Sequence, residues 1–426
     1  MKKLGSMIAI GAAVLMCLGC GNGQNDQVLT IGVFGDSSNF EKQLRPFTEA
    51  HPEISVEIQE YELQPYGEDS FSQLKMEISS GKGPDVIQFG SEYSACIAAG
   101  DLTENLYEYM EADEKFEQDD YFTNILETFA IDGKLAAVPD SFIISTAVGK
   151  AEYYEGTEAW DFTAISAVYD KYREEKLLYP GESKLDVFGF LCSGTISQYL
   201  DWQNQVCRFD SEEFKELLAF ADQFPQQMVF DENMKLRQMY ADGEALLYRC
   251  SISNVWTVGL VRELFGGQRL DWLGYPVTGN VAESGAIMLG INVNSRQKDR
   301  AWELIKYFLS EEYQTAYAGN LPLHKQALAQ KLEEASRVTY SQENVPVTKE
   351  LWFEGEEPVQ ITAITEEDRE VLLGLIASVK VSANVDYSLY NIVLEEVQGY
   401  FAGDRELEEV VKIIQGRVKI AMAELL

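Results

Sequence analysis

The segment Gly81-Lys82-Gly83-Pro84-Asp85-Val86-Ile87-Gln88-Phe89 marks a change from helix to strand. Apolar residues recur before it at helical spacing, namely Phe71, Leu74 and Ile78. Gly81 is suited to end that helix, while Pro84 cannot continue it and favours an extended Gly83. Val86-Ile87 begins a short apolar run typical of a buried parallel strand. The segment therefore predicts a helix, a turn and a strand in immediate succession.

The chain before this segment shows the same alternation. Residues 29–34 read as a strand, residues 40–47 as a helix, and residues 54–58 alternate as a second strand. Together with the opening segment they form a β-α-β-α-β series, which predicts a doubly wound sheet. Ligands bind beyond the carboxyl ends of strands in such sheets. Residues 35–39 and 88–93 are therefore expected at the same edge of a cleft.

Residues 1–19 have the composition of a targeting signal. Lys2 and Lys3 precede an apolar run from Met7 to Leu18, which is too short for a comfortable transmembrane span. Gly19-Cys20 resembles the cleavage point of a bacterial lipoprotein signal, although Cys17 stands where such signals usually have leucine. We expect lipidation at Cys20 and a polar tether over residues 20–26. The alternative is a plain secretory signal cleaved nearby.

The composition excludes several classes of partner. Without residues 1–19 the chain has 32 basic and 70 acidic residues, a net charge of −38. This charge argues against nucleic acid and against anionic lipid headgroups. Four further cysteines are expected to be buried free thiols, because large domains do not need disulfides: Cys96, Cys192, Cys207 and Cys250. These four cysteines form no CxxC motif and the chain has no EF-hand loop, and we expect neither a metal nor a cofactor.

Later segments indicate further elements of an α/β protein. Asp132-Gly133 is a two-residue turn signal, and residues 142–148 read as a buried strand that crosses into a second lobe. Residues 160–179 read as a helix and residues 245–251 as a strand. Residues 301–309 and three segments near the end, 371–379, 389–400 and 407–421, have helical patterns.

These segments, taken in order, resemble the extracellular solute-binding proteins of ABC transporters. The matching family binds sugars and oligosaccharides and includes the maltose-binding proteins. The resemblance rests on the opening segment, on Asp132-Gly133-Lys134-Leu135-Ala136-Ala137-Val138-Pro139, and on Gly290-Ile291-Asn292-Val293-Asn294-Ser295 with the helix of residues 301–309. Residues 311–314 and 321–323 continue the pattern. It covers nearly all of the chain after the signal.

The resemblance implies a two-lobed α/β fold of the periplasmic-binding-protein-like type II class, with the ligand cleft between the lobes. Crossings are expected near Phe142, Met288 and Pro322. Lobe one would comprise residues 27–141 plus 287–321, and lobe two residues 142–286 plus 322–426. The implied protein is a monomer that captures a small carbohydrate. It delivers this ligand to ABC permease subunits from the extracellular face of the cytoplasmic membrane, held there through lipidated Cys20 only.

A sugar site needs aromatic platforms and hydrogen-bonding side chains. The candidates lie at strand ends and crossings: Asp36, Ser37, Asn39, Gln88, Ser91, Glu92, Tyr93, Asp140, Phe142, Arg249, Ser251, Asn254, Trp256, Tyr275, Glu283 and Ser284. Phe34 and Phe89 stand where the family often has tryptophan. Arg249 either reads a ligand carboxylate, as in a uronate, or forms an ion pair within this acidic protein.

Two other functions are compatible with parts of the sequence. A secreted glycoside hydrolase needs only two carboxylates in a cleft. However, the sequence has no GxSxG, HExxH or P-loop motif and only two histidines, so we expect no enzyme activity. A surface sensor or adhesin can use the same fold without transport.

Overall fold

The computed structural model describes residues 28–62, 68–90, 93–228, 234–285, 287–383 and 386–425. The expected signal and tether, the lipidation site Cys20, and the candidates Ser91 and Glu92 lie outside these ranges. No helix within the described ranges is long and apolar enough to cross a membrane.

The chain alternates between helices and short strands along its length. The strands are β1 Val28–Phe34, β2 Ser55–Tyr61, β3 Val86–Phe89, β4 Val138–Pro139, β5 Ser141–Lys150, β6 Leu200–Asp201, β7 Val206–Cys207, β8 Tyr248–Ile252, β9 Leu270–Trp272, β10 Val281–Ser284, β11 Met288–Ile291, β12 Leu321–Pro322, β13 Lys349–Leu351, β14 Val359–Ile361 and β15 Val381–Ser382. The helices up to residue 242 are α1 Ser38–Ala50, α2 Glu68–Ser79, α3 Ser94–Ala99, α4 Leu106–Ala112, α5 Thr123–Phe129, α6 Phe162–Tyr172, α7 Lys184–Thr195, α8 Glu212–Ala221 and α9 Leu236–Asp242. The later helices are α10 Thr257–Leu264, α11 Lys298–Leu309, α12 Glu311–Ala316, α13 Lys325–Ala335, α14 Glu366–Ser378, α15 Tyr387–Phe401 and α16 Leu407–Leu425.

The first sheet contains the opening β-α-β-α-β series. Its strand order is β2-β1-β3-β11-β4. β1 runs parallel to β2 and β3, as predicted, and this places residues 35–39 beside the end of β3. β11 returns from far along the chain and runs antiparallel to β3 and β4. The sheet is therefore mixed, with a doubly wound part built from local sequence.

The opening segment forms the predicted helix, turn and strand. α2 ends at Ser79, Gly81 follows with φ 75°, and β3 begins at Val86. The extended conformation expected for Gly83 is wrong, because Gly83 has φ 94°. Only glycine adopts this value without strain, and a Cβ there would lie 3.3 Å from Asn292 Nδ2. The extended backbone that Pro84 favours for the residue before it is thus not adopted, because the turn requires a positive φ at Gly83.

Asp85 locks this turn to two other parts of the chain. Its Oδ2 accepts hydrogen bonds from the backbone N–H and the hydroxyl of Thr30, at 2.9 and 2.7 Å. Its Oδ1 accepts one from the Ser295 hydroxyl at 2.7 Å. These bonds lie at the amino end of β3, away from the strand ends where ligands bind. Asp85 therefore has a structural role.

The second sheet is organised around β5, its longest strand. The order is β12-β5-β10-β15, and β8 and β9 also pair with β5. β5, β10 and β12 pair antiparallel, and β15 runs parallel to β10. Two other predicted boundaries are wrong: α6 ends at Tyr172, not at 179, and the strand predicted at 245–251 begins at Tyr248. Gly243, with φ 74°, ends α9 shortly before it.

Two clusters of buried side chains hold the molecule together. One surrounds the first sheet and continues through the start of β5 to α10 and α14. The other lies between the second sheet and the helices α6, α7, α8, α15 and α16. Ile131 contacts both clusters. The start of β5 therefore belongs to the same packed region as the first sheet.

The four cysteines beyond the signal are free and buried, as predicted. Burial raises the pKa of the Cys96 and Cys250 thiols to about 12. Since the thiolate is the reactive form, we expect almost no labelling of native protein by a thiol reagent at pH 8, and labelling of all four in denaturant. Counting labels by mass spectrometry checks this. Rapid labelling without denaturant would contradict it.

Candidate functional site

The two sheets are joined by short crossings that lie side by side. β4 ends at Pro139 and β5 begins at Ser141, while β10 ends at Ser284 and β11 begins at Met288. The Cα atoms of Ser284 and Met288, at the ends of the second crossing, are at most about 14 Å apart. Met288 pairs with both Pro139 and Phe89. The carboxyl ends of β1 and β3 therefore face those of β8 and β10, and we call the space between them the inter-sheet cleft.

Gly35 to Asn39 form the β1 side of this cleft. The Ser37 side chain is 6% exposed and donates a hydrogen bond to Glu41 Oε1 at 3.2 Å. Asp36 and Asn39 are exposed. The Ser38 hydroxyl and backbone N–H hold the pKa of Asp36 below its usual value. Asp36 and Asn39 are thus available to a ligand, whereas the Ser37 hydroxyl is engaged.

Stacked aromatic rings lie at the ends of β1 and β3. The ring of Tyr93 is 5.5 Å from that of Phe34 and 4.7 Å from that of Phe71. Phe34 and Tyr93 are half-buried, so each keeps exposed surface at the strand ends. Phe89 is fully buried and is a core residue. Of the two family tryptophan positions, only the one held by Phe34 keeps exposed surface, and its ring also stacks on Tyr61 with the centroids 5.2 Å apart. Gln88 is half-buried one residue before the end of β3.

One face of the second sheet brings three predicted residues together. Ser145 on β5 lies opposite Ser251 on β8, and its hydroxyl donates to Glu283 on β10. Arg249 lies two residues before Ser251 and so shares its face. Ser251 and Arg249 are exposed and Glu283 is half-buried. We call Arg249, Ser251 and Glu283 the polar face.

Arg249 makes the ion pair that was one of its two predicted roles. Its Nη1 lies 3.3 Å from Asp186 Oδ1, and its guanidinium carbon lies 4.5 Å from the centre of the Tyr179 ring. The side chains of Arg249 and Asp186 remain 43% and 27% exposed, so the pair still faces solvent. The partner Asp186 lies in the first turn of α7. Sequence reasoning did not identify it, because nothing local links it to β8.

Tyr275 lies beneath the polar face. It is 6% exposed, its ring is 5.0 Å from that of Phe190, and a Cβ at Gly194 would lie 2.2 Å from it. Burial raises the pKa of Tyr275 to about 12. Tyr275 therefore packs beneath the polar face. Its ring is too buried to stack on a ligand, the role that was predicted for it.

Asn254 and Trp256 lie in the loop after β8, beside the third crossing. Asn254 Oδ1 accepts a hydrogen bond from the backbone N–H of Trp256 at 3.0 Å, which shapes the start of α10. The half-buried indole lines a cavity of about 360 Å³ with residues 318–322, and the ammonium of Lys349 is 5.5 Å from its centre. We call this space the Trp256 cavity.

Two other predicted residues lie inside the crossings and present almost no surface to a ligand. Phe142 is fully buried and packs edge-on to Phe122. Asp140 is 3% exposed and accepts hydrogen bonds from the hydroxyls of Ser141 and Tyr313, at 3.0 and 3.1 Å. Asp140 and Phe142 are buried because the strand ends at one crossing pack against the neighbouring crossing. Ser284, opposite Phe142, is half-buried.

Gln314 connects the first and third crossings. Its amide nitrogen donates to the Asp140 backbone oxygen at 2.9 Å, and its amide oxygen accepts from the His324 backbone N–H at 2.9 Å. Burial raises the pKa of Asp140 to about 6 and lowers that of His324. We call Asp140, Ser141, Tyr313, Gln314 and His324 the crossing network. Tyr313 and Gln314 stood in a matched sequence motif, but no role was predicted for them.

Comparison with known proteins agrees with this architecture. The profile of the family described as "Bacterial extracellular solute-binding protein" matches residues 42–333. The sugar-binding protein MalE from Xanthomonas citri is 16% identical with a TM-score of 0.59, covering 93% of this chain and 98% of that one. A periplasmic oligogalacturonide-binding protein from Yersinia enterocolitica is 16% identical with a TM-score of 0.58, covering 93% and 99%. A Listeria monocytogenes ABC substrate-binding protein, solved with cycloalternan, is 14% identical with a TM-score of 0.53, covering 93% and 99%.

No curated protein sequence matches the chain. The family profile covers well over half of it, and the chain belongs to the bacterial extracellular solute-binding protein family. Such proteins are non-enzymatic components of transport systems. The structural matches show a shared fold, which is the predicted α/β periplasmic-binding-protein-like class. Because the sequence identities are low, they show no more than the fold.

Proposed function

We propose that this protein captures a sugar or oligosaccharide in the inter-sheet cleft and delivers it to an ABC permease. The observation that carries the proposal is that the carboxyl ends of strands from two sheets face each other across short crossings. Both sides of the resulting cleft bear exposed hydrogen-bonding groups. In open α/β sheets ligands bind at such edges.

The chemistry of the two edges suits a carbohydrate. The stacked rings of Phe34 and Tyr93 are half-buried, and their remaining exposed surface suits the apolar C–H groups of a sugar ring. Asp36 and Asn39 on one side, and the polar face on the other, offer carboxylate, amide, hydroxyl and guanidinium groups for its hydroxyls. The fold is shared with a protein described as sugar-binding, one described as oligogalacturonide-binding and one solved in complex with cycloalternan, which supports this ligand class.

The proposed lobes follow the crossings. Lobe one comprises residues 27–141 plus 287–321 and lobe two residues 142–286 plus 322–426. Ligand binding closes the lobes around the crossings as a hinge, and the closed form is recognised by the permease. Gly19-Cys20 supports a lipid anchor on the extracellular face of the cytoplasmic membrane, with the polar residues 20–26 as tether. The anchored protein acts as a monomer.

Replacing Trp256 with alanine is expected to weaken carbohydrate binding about tenfold or more without unfolding the protein. The substitution removes an aromatic wall from a cavity beside the cleft, a contact typically worth about 1.5–3 kcal/mol. Trp352→Ala is the matched control, because Trp352 is 66% exposed on another surface. Calorimetric titration measures both affinities. Equal affinities for the two variants and the parent protein would remove Trp256 from the site.

A thermal-shift screen over neutral sugars, uronates and short glycans tests the proposal itself. A ligand that binds only the folded protein raises the unfolding temperature by mass action, by an amount that grows with its concentration. We expect at least one carbohydrate to do so, with no change in the carbohydrate on prolonged incubation. Hydrolysis of the glycan, or stabilisation only by ligands other than carbohydrates, would contradict the proposal.

A further inference from the structure

The Trp256 cavity contains two lysines in a protein dominated by carboxylates. The whole chain has 70 acidic and 34 basic residues. The cavity is lined by Lys331, Lys349 and a single acidic residue, Glu334. Within the part of the chain that the structure describes, neither ammonium has a carboxylate within 4.0 Å. The local charge of the cavity is thus opposite to that of the protein.

The two ammonium groups are held where they face the cavity. Lys331 is half-buried on α13 and its Nζ lies 3.4 Å from the backbone oxygen of Ala318, at the third crossing. Burial lowers the pKa of Lys331, so its charge is poorly solvated there. The Lys349 ammonium lies over the Trp256 ring. Lys349 is exposed, so an anion in the cavity would stabilise the half-buried charge of Lys331 and pair with the more accessible ammonium of Lys349.

The remaining lining groups suit a sugar. The Trp256 indole offers an aromatic surface, and the amides of Asn254 and Asn320 offer donors and acceptors for hydroxyl groups. The volume of about 360 Å³ is at the lower end of the range for small-molecule sites. A pyranose ring with one charged substituent fits this combination of groups better than a neutral sugar does.

One wall of the cavity comes from a hairpin-like segment beyond α13. Thr339 pairs with Val347 through a backbone hydrogen bond of 2.9 Å, and both residues line the cavity together with Lys349. This segment lies after residue 333, where the match to the family profile ends. Lys349 thus lies outside the matched region, whereas Trp256 and Lys331 lie within it.

We propose that the Trp256 cavity is a subsite for a uronic acid unit, whose carboxylate contacts Lys331 and Lys349. This inference rests on the proposed carbohydrate-binding function and specifies its ligand class. It predicts that acidic oligosaccharides bind better than neutral ones of the same size, and that added salt weakens this preference.

The test compares uronic acid oligosaccharides with their methyl esters, which keep the stereochemistry and lose the charge. The panel contains oligomers of galacturonic, glucuronic, mannuronic and guluronic acid, with neutral hexose oligomers alongside. Calorimetric titrations use the full protein and the variants Lys331→Met and Lys349→Met. Lys412→Met, an exposed lysine on α16, is the control for loss of one charge.

We expect the tightest ligand to be an acid and its methyl ester to bind about tenfold more weakly. Each cavity variant should lose a similar factor for the acid and little for the ester, and the control should lose neither. Tightest binding by a neutral sugar, or an acid preference unchanged in both cavity variants, would overturn this inference and leave the proposed function intact. Binding of no carbohydrate at all would overturn both.

Discussion

Replacing Arg262 with leucine is expected to cost on the order of 3 kcal/mol of folding stability. Arg262 lies in α10, the helix that starts directly after Trp256, and its Nε donates to Asp368 Oδ1 at 2.8 Å. The Asp368 side chain is 1% exposed. Burial raises its pKa, but hydrogen bonds from Arg262 and Thr365 outweigh this and hold the pKa below its usual value. The leucine variant would leave a buried carboxylate without its cation.

Urea denaturation of the two proteins measures this loss. Arg337→Leu is the matched control, because Arg337 pairs with Glu333 on the surface, where the side chains are 66% and 64% exposed. Exposed pairs contribute less than about 1 kcal/mol. If the two variants lose the same stability, the Arg262–Asp368 pair does not anchor α10 in the way the structure indicates.

The second large effect concerns Asp140 in the crossing network. Its folded-state pKa of about 6 is above the ordinary value of 3.8, because burial disfavours the charged form. The folded protein therefore holds this proton more tightly than the unfolded chain. The stabilisation is fully present below about pH 4 and is lost as the pH rises through about 6, a difference of about 3 kcal/mol.

Asp140→Asn mimics the protonated carboxyl group and removes this pH dependence. We expect the variant to be more stable than the parent at pH 7, and the difference to vanish towards pH 4. The measurement is the difference in unfolding free energy between the two proteins at several pH values, in which the other titrating groups cancel. Asp36→Asn, at an exposed carboxylate, is the control. A difference that stays constant between pH 4 and pH 7 would contradict the assignment.

Local patterns predicted the first sheet well. The helix before Gly81, the strand from Val86 to Phe89 and the turn at Asp132-Gly133, with φ of 52° and 80°, all depend on residues near one another in sequence. The antiparallel addition of β11 depends on a chain segment about 200 residues away, and no local pattern shows it. The conformation of Gly83 was predicted wrongly, because the turn there packs against Asn292, which is distant in sequence.

The sequence predicted residues of the candidate site only where it predicted the end of a strand correctly. Asp36 is exposed in the turn after β1, and Ser251 is exposed one residue before the carboxyl end of β8. Asn39 in the first turn of α1 and Arg249, the second residue of β8, are exposed farther from those ends. Asp140, Phe142 and Tyr275 are also near strand ends, but neighbouring crossings and Gly194 cover them.

The lysines of the Trp256 cavity were not predicted. Lys331 and Lys349 lie on elements without sequence motifs, and their proximity to Trp256 depends on how α13 and β13 pack beside the third crossing. The sequence therefore predicted polar groups near strand ends. Only the folded structure shows which distant residues, such as Lys331 and Lys349, lie beside them.

Small-angle scattering with and without a bound carbohydrate tests the central claim most directly. The screen supplies the ligand, and scattering from the purified protein reports whether the two proposed lobes close on it. We predict a smaller radius of gyration with saturating ligand, and no change with a sugar that does not stabilise the protein. A carbohydrate that binds tightly while the scattering curve stays the same would contradict capture by closure of the inter-sheet cleft.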